Sequence, residues 1–223
     1  MNEKLVAYSK PYSIESEQFK IIRTKIDSPR IVMMTSAQPG EGKSFVAANL
    51  AVSISQSLGK KAVLIDCDLR RPVVHKLFEI DETPGLTEYL SNTAPLDTCL
   101  KTVDLEDLLI LPGGQPAPNP AELFSSERIS AFMEEIRSRL GDHYVFLDSP
   151  PPLLVSEART IAKHVDNIIL VIKYGATPKS LLDALFDTIG KDRILGAVIN
   201  KSESRSHIYK YIKGYKKYYS YYK

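Results

Sequence analysis

Apolar residues recur at helical spacing over Ile14–Ile26, where Phe19, Ile22 and Ile26 share one face and Ser13 or Ser16 stands ready to cap the start. Residues 1–13 read as an irregular lead-in, because Pro11 discourages a helix there. The pattern then changes. Ile31–Thr35 is a short continuous apolar run, residues from Phe45 to about Leu58 have helical spacing stopped by Gly59, and Ala62–Asp66 is a second apolar run. The same reading predicts helices over Pro72–Phe78, Leu86–Leu90, Ser125–Leu140, Val155–His164 and Ser180–Ile189. It predicts strands over Leu108–Leu111, Tyr144–Asp148, Ile168–Lys173 and Ile194–Asn200, with Pro112–Pro120 as a rigid, irregular loop. Strands alternating with helices imply an α/β fold, a mainly parallel sheet with right-handed crossovers and helices on both faces. Ligands of such sheets sit at the carboxyl ends of the strands. Residues 1–202 form one expected domain, and past Ser202 the pattern dissolves into a polar, tyrosine-rich tail expected to be mobile, 203–223.

Composition narrows the class. The chain is 43% apolar and 25% charged, as a soluble globular domain is. No apolar run approaches the ~20 residues of a membrane span, and the first residues lack the apolar stretch of a signal peptide. A cytoplasmic location is therefore expected. Cys67 and Cys99 are too few for a disulfide framework or a metal cluster. The net charge of +2 hides an asymmetry: from Lys201 onward there are seven lysines and arginines against Glu203 alone. Seven of the twelve tyrosines, Tyr209, Tyr211, Tyr215, Tyr218, Tyr219, Tyr221 and Tyr222, lie in that same stretch.

The candidate chemistry starts at Thr35-Ser-Ala-Gln-Pro-Gly-Glu-Gly-Lys-Ser44, between the first apolar run and the helix that Phe45 opens. Gly40 and Gly42 let successive backbone N–H groups converge on phosphate oxygens, and the following helix adds its positive end. Pro39, Gly40, Glu41, Gly42, Lys43, Ser44 and Phe45 are thus the expected nucleotide-binding residues, with Lys43 on the β- and γ-phosphates and the Ser44 hydroxyl on Mg²⁺. Asp66 and Asp68 follow at the carboxyl end of a predicted strand, where i and i+2 share a face and Cys67 points away. Two carboxylates there can serve a phosphate-bound metal and a nucleophile's proton. Asp148 ends another strand, placed like the second acid of nucleotide hydrolases that holds Mg²⁺ directly or through water.

These motifs resemble those of the bacterial tyrosine kinases, which build a tyrosine kinase on the P-loop ATPase fold. Ala37–Ser44 is similar to that family's first motif, Ile65-Asp-Cys-Asp-Leu-Arg-Arg-Pro72 to its second and Leu147-Asp-Ser-Pro-Pro151 to its third. Leu111–Leu123 is similar to a loop of the family, and the tyrosine cluster completes the set. The resemblance implies ATP and Mg²⁺ as cofactors, with Asp66 accepting or orienting the proton of the attacking tyrosine and Asp68 and Asp148 serving the metal. Arg70, from the same motif, binds phosphate, the incoming tyrosine or a neighbouring subunit, or is a surface ion pair. Glu17, Lys20 and Arg23 lie along one helical face and match the family's Glu-x-x-Arg-x-x-Arg ring interface, with Lys20 lacking arginine's planar fork. Asn200 is a base-binding candidate by likeness to related ATPases.

The resemblance further implies autophosphorylation of the seven tail tyrosines in trans, within a ring-shaped homo-oligomer, an octamer in this family. It implies a transmembrane activator of the polysaccharide chain-length-regulator type, holding the protein at the inner face of the membrane. A cognate phosphatase, other protein substrates and a role in capsular or extracellular polysaccharide follow by the same likeness, with no nucleic acid. Two other readings compete. Partition and septum-positioning ATPases share the fold but carry a lysine where Gln38 stands, and a nucleotide-binding scaffold would need none of the three aspartates. A solubilising, lipid-binding or nucleic-acid-binding tail leaves unexplained why strand-end acids accompany the phosphate loop.

Overall fold

The computed structural model describes residues 1–202, so the tail and its seven tyrosines lie outside the described residues. The strands are β1 (Ile31–Thr35), β2 (Lys61–Asp66), β3 (Lys101–Thr102), β4 (Leu108–Leu111), β5 (His143–Asp148), β6 (Asn167–Lys173) and β7 (Ile194–Asn200). They form one sheet in the order β3-β4-β2-β5-β1-β6-β7, parallel throughout except for β3 against β4. β1 is buried along its whole length, and β2 and β5 beyond their first residues. Such strands read as unbroken apolar runs because helices cover both faces.

The helices are α1 (Val6–Ser9), α2 (Ile14–Arg23), α3 (Lys43–Ser55), α4 (Val74–Phe78), α5 (Leu86–Leu90), α6 (Leu96–Cys99), α7 (Pro120–Leu123), α8 (Ser126–Leu140), α9 (Ser156–Ala162) and α10 (Lys179–Ile189). Two apolar clusters result, one per face. The first gathers Phe132 and Ile136 of α8, Ile161 of α9 and Leu185 of α10 against Met33 and Leu147; the second gathers Leu50 and Ile54 of α3, with Phe19, against Met34 and Phe146. None of these helices is long and apolar enough to cross a membrane.

Three expectations change. The lead-in is ordered: it carries α1, with Leu5 and Ala7 buried, because Asn49 of α3 accepts from the Ala7 backbone N–H at 2.9 Å and donates to the Lys4 carbonyl at 3.2 Å. That cover explains why α3 is buried almost all round rather than along one stripe. The expected helix over 14–26 ends at Arg23, although Ile26 stays buried, and Ser13 is its cap, accepting from Ser16 N–H. The short α6, β3 and α7 carry too few residues for periodicity to reveal them.

Candidate active site

The carboxyl ends of β1, β2 and β5 meet where the order of the sheet reverses, and the motifs gather there. Gly40 and Gly42 have φ of +78° and +95°, the left-handed backbone that only glycine adopts freely, and Gly42 caps α3. A Cβ on Gly42 would lie 2.1 Å from Asn200 Nδ2. Lys43 opens the 13-residue α3 and is 9% exposed. The loop thus has its backbone and the helix start aimed at one space, as an anion site requires.

Three expected nucleotide residues are engaged by the protein itself. Glu41 is fully buried; its carboxylate accepts from the backbone N–H of Gln38 (3.2 Å) and of Lys173 (3.3 Å) and from the Thr177 hydroxyl. It is a strut tying the loop to the end of β6, because a buried charge must take its partners where the fold supplies them. The Phe45 ring turns toward α2 and meets Phe19 edge to face at 6.1 Å. Asn200 Nδ2 donates to the Glu41 carbonyl at 2.8 Å, and Lys201 Nζ to the Gly40 carbonyl at 2.9 Å. The expected base reader therefore clasps the back of the phosphate loop.

Asp66 and Asp148 sit opposite each other in the β2–β5 register, both buried. Burial, then the neighbouring Asp148, push Asp66 well above the ordinary carboxylate range. Burial likewise raises Asp148, against the pull of the Ser44 hydroxyl and the Lys43 charge. The Asp66 carboxylate accepts three backbone N–H groups, from Asp68 (3.1 Å), Val73 (2.8 Å) and Val74 (3.0 Å). Asp66, the residue expected to meet the tyrosine proton, thus also anchors the turn after β2, and Asp68 beside it is partly exposed. Burial raises Asp68, opposed by the Arg71 backbone N–H and then Lys43. Burial and the adjacent carboxylates raise the Cys67 thiol, leaving it an inert packing group.

The donor set fits a hard divalent cation. Asp148 Oδ1 is buried with no hydrogen-bond partner among the described residues, the Ser44 hydroxyl lies beside Asp148, and all donors are oxygen. No group of three or more His, Cys, Asp or Glu able to hold a metal occurs among the described residues. Phosphate oxygens and water would complete the shell, as they do for Mg²⁺.

Residues 112–115 form a wall beside Asp66. The Pro112 carbonyl accepts from Leu86 N–H (2.8 Å) and the Gly113 carbonyl from Thr87 N–H (2.9 Å). The Glu88 carboxylate closes the staple, accepting from Gly85 N–H (2.7 Å) and Gln115 N–H (3.1 Å). Gly113 is squeezed between Pro72 and Asp66, where a Cβ would lie 2.7 Å from Pro72 Cβ and 3.6 Å from Asp66 Cγ.

Arg70 is half-exposed, its Nε donating to Glu157 Oε1 at 2.7 Å. Glu17 and Lys20 pair with each other, while Arg23 Nη1 donates to the Ser53 carbonyl near the end of α3. Sequence reasoning missed Asn49, Glu88 and Glu157; only Gly85-x-x-Glu88, a capping-box spacing, left a local trace.

The description CobQ/CobB/MinD/ParA nucleotide binding domain matches residues 32–221, which makes the fold that of the P-loop nucleotide-binding proteins. Among curated proteins, tyrosine-protein kinase YwqD of Bacillus subtilis is 37% identical over 217 residues, covering 93% of this chain and 90% of that one. The putative tyrosine-protein kinase CapB of Staphylococcus aureus is 32% identical over 220 residues, covering 93% and 94%. The crystal structure of the chimerical protein CapA2B2 superposes with a TM-score of 0.82 at 30% identity, covering 91% of each chain.

Proposed function

This chain belongs to the bacterial tyrosine kinases of the CobQ/CobB/MinD/ParA nucleotide-binding class, and we propose that it transfers the γ-phosphoryl group of ATP to the tyrosines of its own carboxyl-terminal stretch, one copy acting on another. The observation that carries the reading is the acid pair Asp66–Asp148, in register beside Lys43 and Ser44, with Asp68 reachable on the rim. Lys43 and the loop N–H groups hold the phosphates. Ser44, Asp148 and Asp68 would hold Mg²⁺, whose charge offsets that of the phosphate oxygens. The tyrosine oxygen forms its bond to the γ-phosphorus as the bond to the bridging oxygen breaks and ADP leaves. A phenol, with a pKa of about 10, needs little help from a base. Asp66, whose raised pKa makes its carboxylate the stronger base, accepts or orients the phenol's proton, while Asp68 on the rim serves the metal.

Lys201 is bound at Gly40, so the chain leaves β7 beside the phosphate loop. At about 3.6 Å per extended residue, the 21 residues from Lys201 to Tyr222 span at most about 75 Å, enough to enter the site of a neighbouring copy. A heterologous contact of this kind closes into a ring, an octamer in the family resembled, with the α2 face Glu17, Lys20 and Arg23 as its other surface. A transmembrane chain-length regulator, a phosphatase that resets the tail, membrane attachment through that regulator and a role in capsular or extracellular polysaccharide complete the proposal.

Incubation with Mg-ATP and mapping of phosphotyrosine by mass spectrometry tests it. Phosphate is expected on the residues after 208 in the full chain, and none in Lys43→Met or in a chain ending at Ser206. An unlabelled carboxyl-terminal stretch, with a fragment of the regulator present, would overturn the reading.

A further inference from the structure

Glu157, unlike Glu41, which braces the phosphate loop, is a buried carboxylate near the site with no role assigned so far. It stands in the first turn of α9, just past the Asp148-Ser-Pro-Pro-Pro152 segment, and its side chain is 2% exposed. Its Oε1 accepts a hydrogen bond from Arg70 Nε at 2.7 Å, while Oε2 is buried with no partner among the described residues. A buried ion pair is weak evidence for stability, because replacing both partners by well-packed apolar side chains is often neutral or stabilising. Stability alone gives no reason for the pair.

Its place does. Arg70 follows β2 and Glu157 follows β5, neighbouring strands, so the pair ties the segment of Asp66 and Asp68 to the segment of Asp148 across the top of the site. Glu157 also acts electrostatically on Asp68, and Asp68 on Arg70. Glu157 engages Nε of the guanidinium, and the outer nitrogens Nη1 and Nη2 donate to no group among the described residues. Without that anchor a half-exposed arginine is free to swing and pair with Asp68, spending both its own donors and the acid.

We propose that Glu157 is a positioning residue for phosphoryl transfer: it holds Arg70 by Nε, so that Nη1 and Nη2 stay open to the phosphoryl group on the acceptor side and the arginine does not compete for Asp68. This rests on the reading that the site passes phosphate to tyrosine.

The test uses the full chain, with full-length Lys43→Met as acceptor, and compares Glu157→Leu, Arg70→Ala, their combination and Asp68→Asn. Glu157→Leu removes the oxygen that holds Arg70 Nε, an acceptor that glutamine would keep, and is expected to bind ATP as the parent does. Its kcat per folded molecule should fall about 10- to 100-fold through misplacement of the arginine. Arg70→Ala should lose about 100-fold, the effect of deleting a charge-stabilising donor. The combination should be no slower than Arg70→Ala alone, because Glu157 acts only through Arg70. Parental turnover in Glu157→Leu, with or without a lower Tm, would overturn the proposal, as would losses that multiply in the combination. If Asp68→Asn also turns over like the parent, the site reading fails as a whole; if only Glu157→Leu does, the positioning role alone fails.

Discussion

Asp166 shows how a single carboxylate joins elements distant in the chain. Its Oδ2 accepts from the Ile31 backbone N–H at 2.7 Å, and its two oxygens accept from the Arg137 guanidinium at 2.8 and 3.2 Å. Burial opposes the charge, but the bonds from Arg137 and Ile31 outweigh it and hold the group below the ordinary carboxylate range. With a folded pKa below the unfolded one, its stabilisation is complete above about pH 4 and is lost as pH falls through the folded value. Asp166→Asn should therefore cost about 1 kcal/mol at pH 7, discounted for partial exposure, with the gap closing in acid. Thermal denaturation at pH 7, 5 and 3 checks this. Glu41 makes the companion case. Glu41→Ala strands the N–H groups of Gln38 and Lys173 that now define the loop, and ATP affinity should fall about tenfold or more. Titration calorimetry with Mg-ATP reads it. The bracing role of each acid was opaque in the sequence because a deciding partner is remote: Lys173 lies 132 positions from Glu41, and Ile31 135 from Asp166.

At the scale of elements, the strand–loop–helix from Ile31 to Ser55 was legible because its signals are local: an apolar run, glycines at positive φ, then helical spacing. A serine cap of α2, Ser13 or Ser16, was legible for the same reason, and the structure selects Ser13. The wall formed by residues 112–115 was legible only as a stiff loop. What it stands against depends on α5, where Gly85 approaches the Pro112 carbonyl and the Gly114 nitrogen so closely that a Cβ would lie 2.4 Å from each. Gly85→Ala should push the loop off α5 and disturb Gly113 beside Asp66. The expected outcome is a loss of about 1–3 kcal/mol, the usual cost of overpacking, with a larger loss of turnover than of ATP binding. Denaturant titration and initial rates on the same preparation check the two parts.

At the scale of the whole molecule, charge is the lever. The stretch from Lys201 onward carries a formal +6, and each phosphotyrosine adds roughly −1.5 to −2, so three or four modifications cancel it. If the unmodified stretch docks in the acid-lined site of the next copy, phosphorylation should dissolve the ring by repulsion. Light scattering before and after Mg-ATP treatment should show a large particle becoming a small one, and an unchanged size would exclude the switch. At the α2 face, Glu17 and Lys20 satisfy each other and Arg23 is spent on Ser53. Assembly through that face must therefore re-partner Arg23, and Arg23→Ala should weaken the large particle while also loosening α2 from α3.

By itself the sequence determined the phosphate loop, the three strand-end aspartates, the alternation of strands and helices and the asymmetry of charge and tyrosine. Each is carried by neighbours a few residues apart, where backbone geometry and side-chain period decide the outcome. Only the tertiary structure decided how those acids are used. Asp66 also anchors three backbone amides of its own turn, with Asp68 on the rim. Glu41 braces the loop, Asn200 clasps its back, and Glu157 meets Arg70 from 87 positions away. A buried polar group takes whichever partner the fold brings within hydrogen-bond reach, and no local pattern records which one that is.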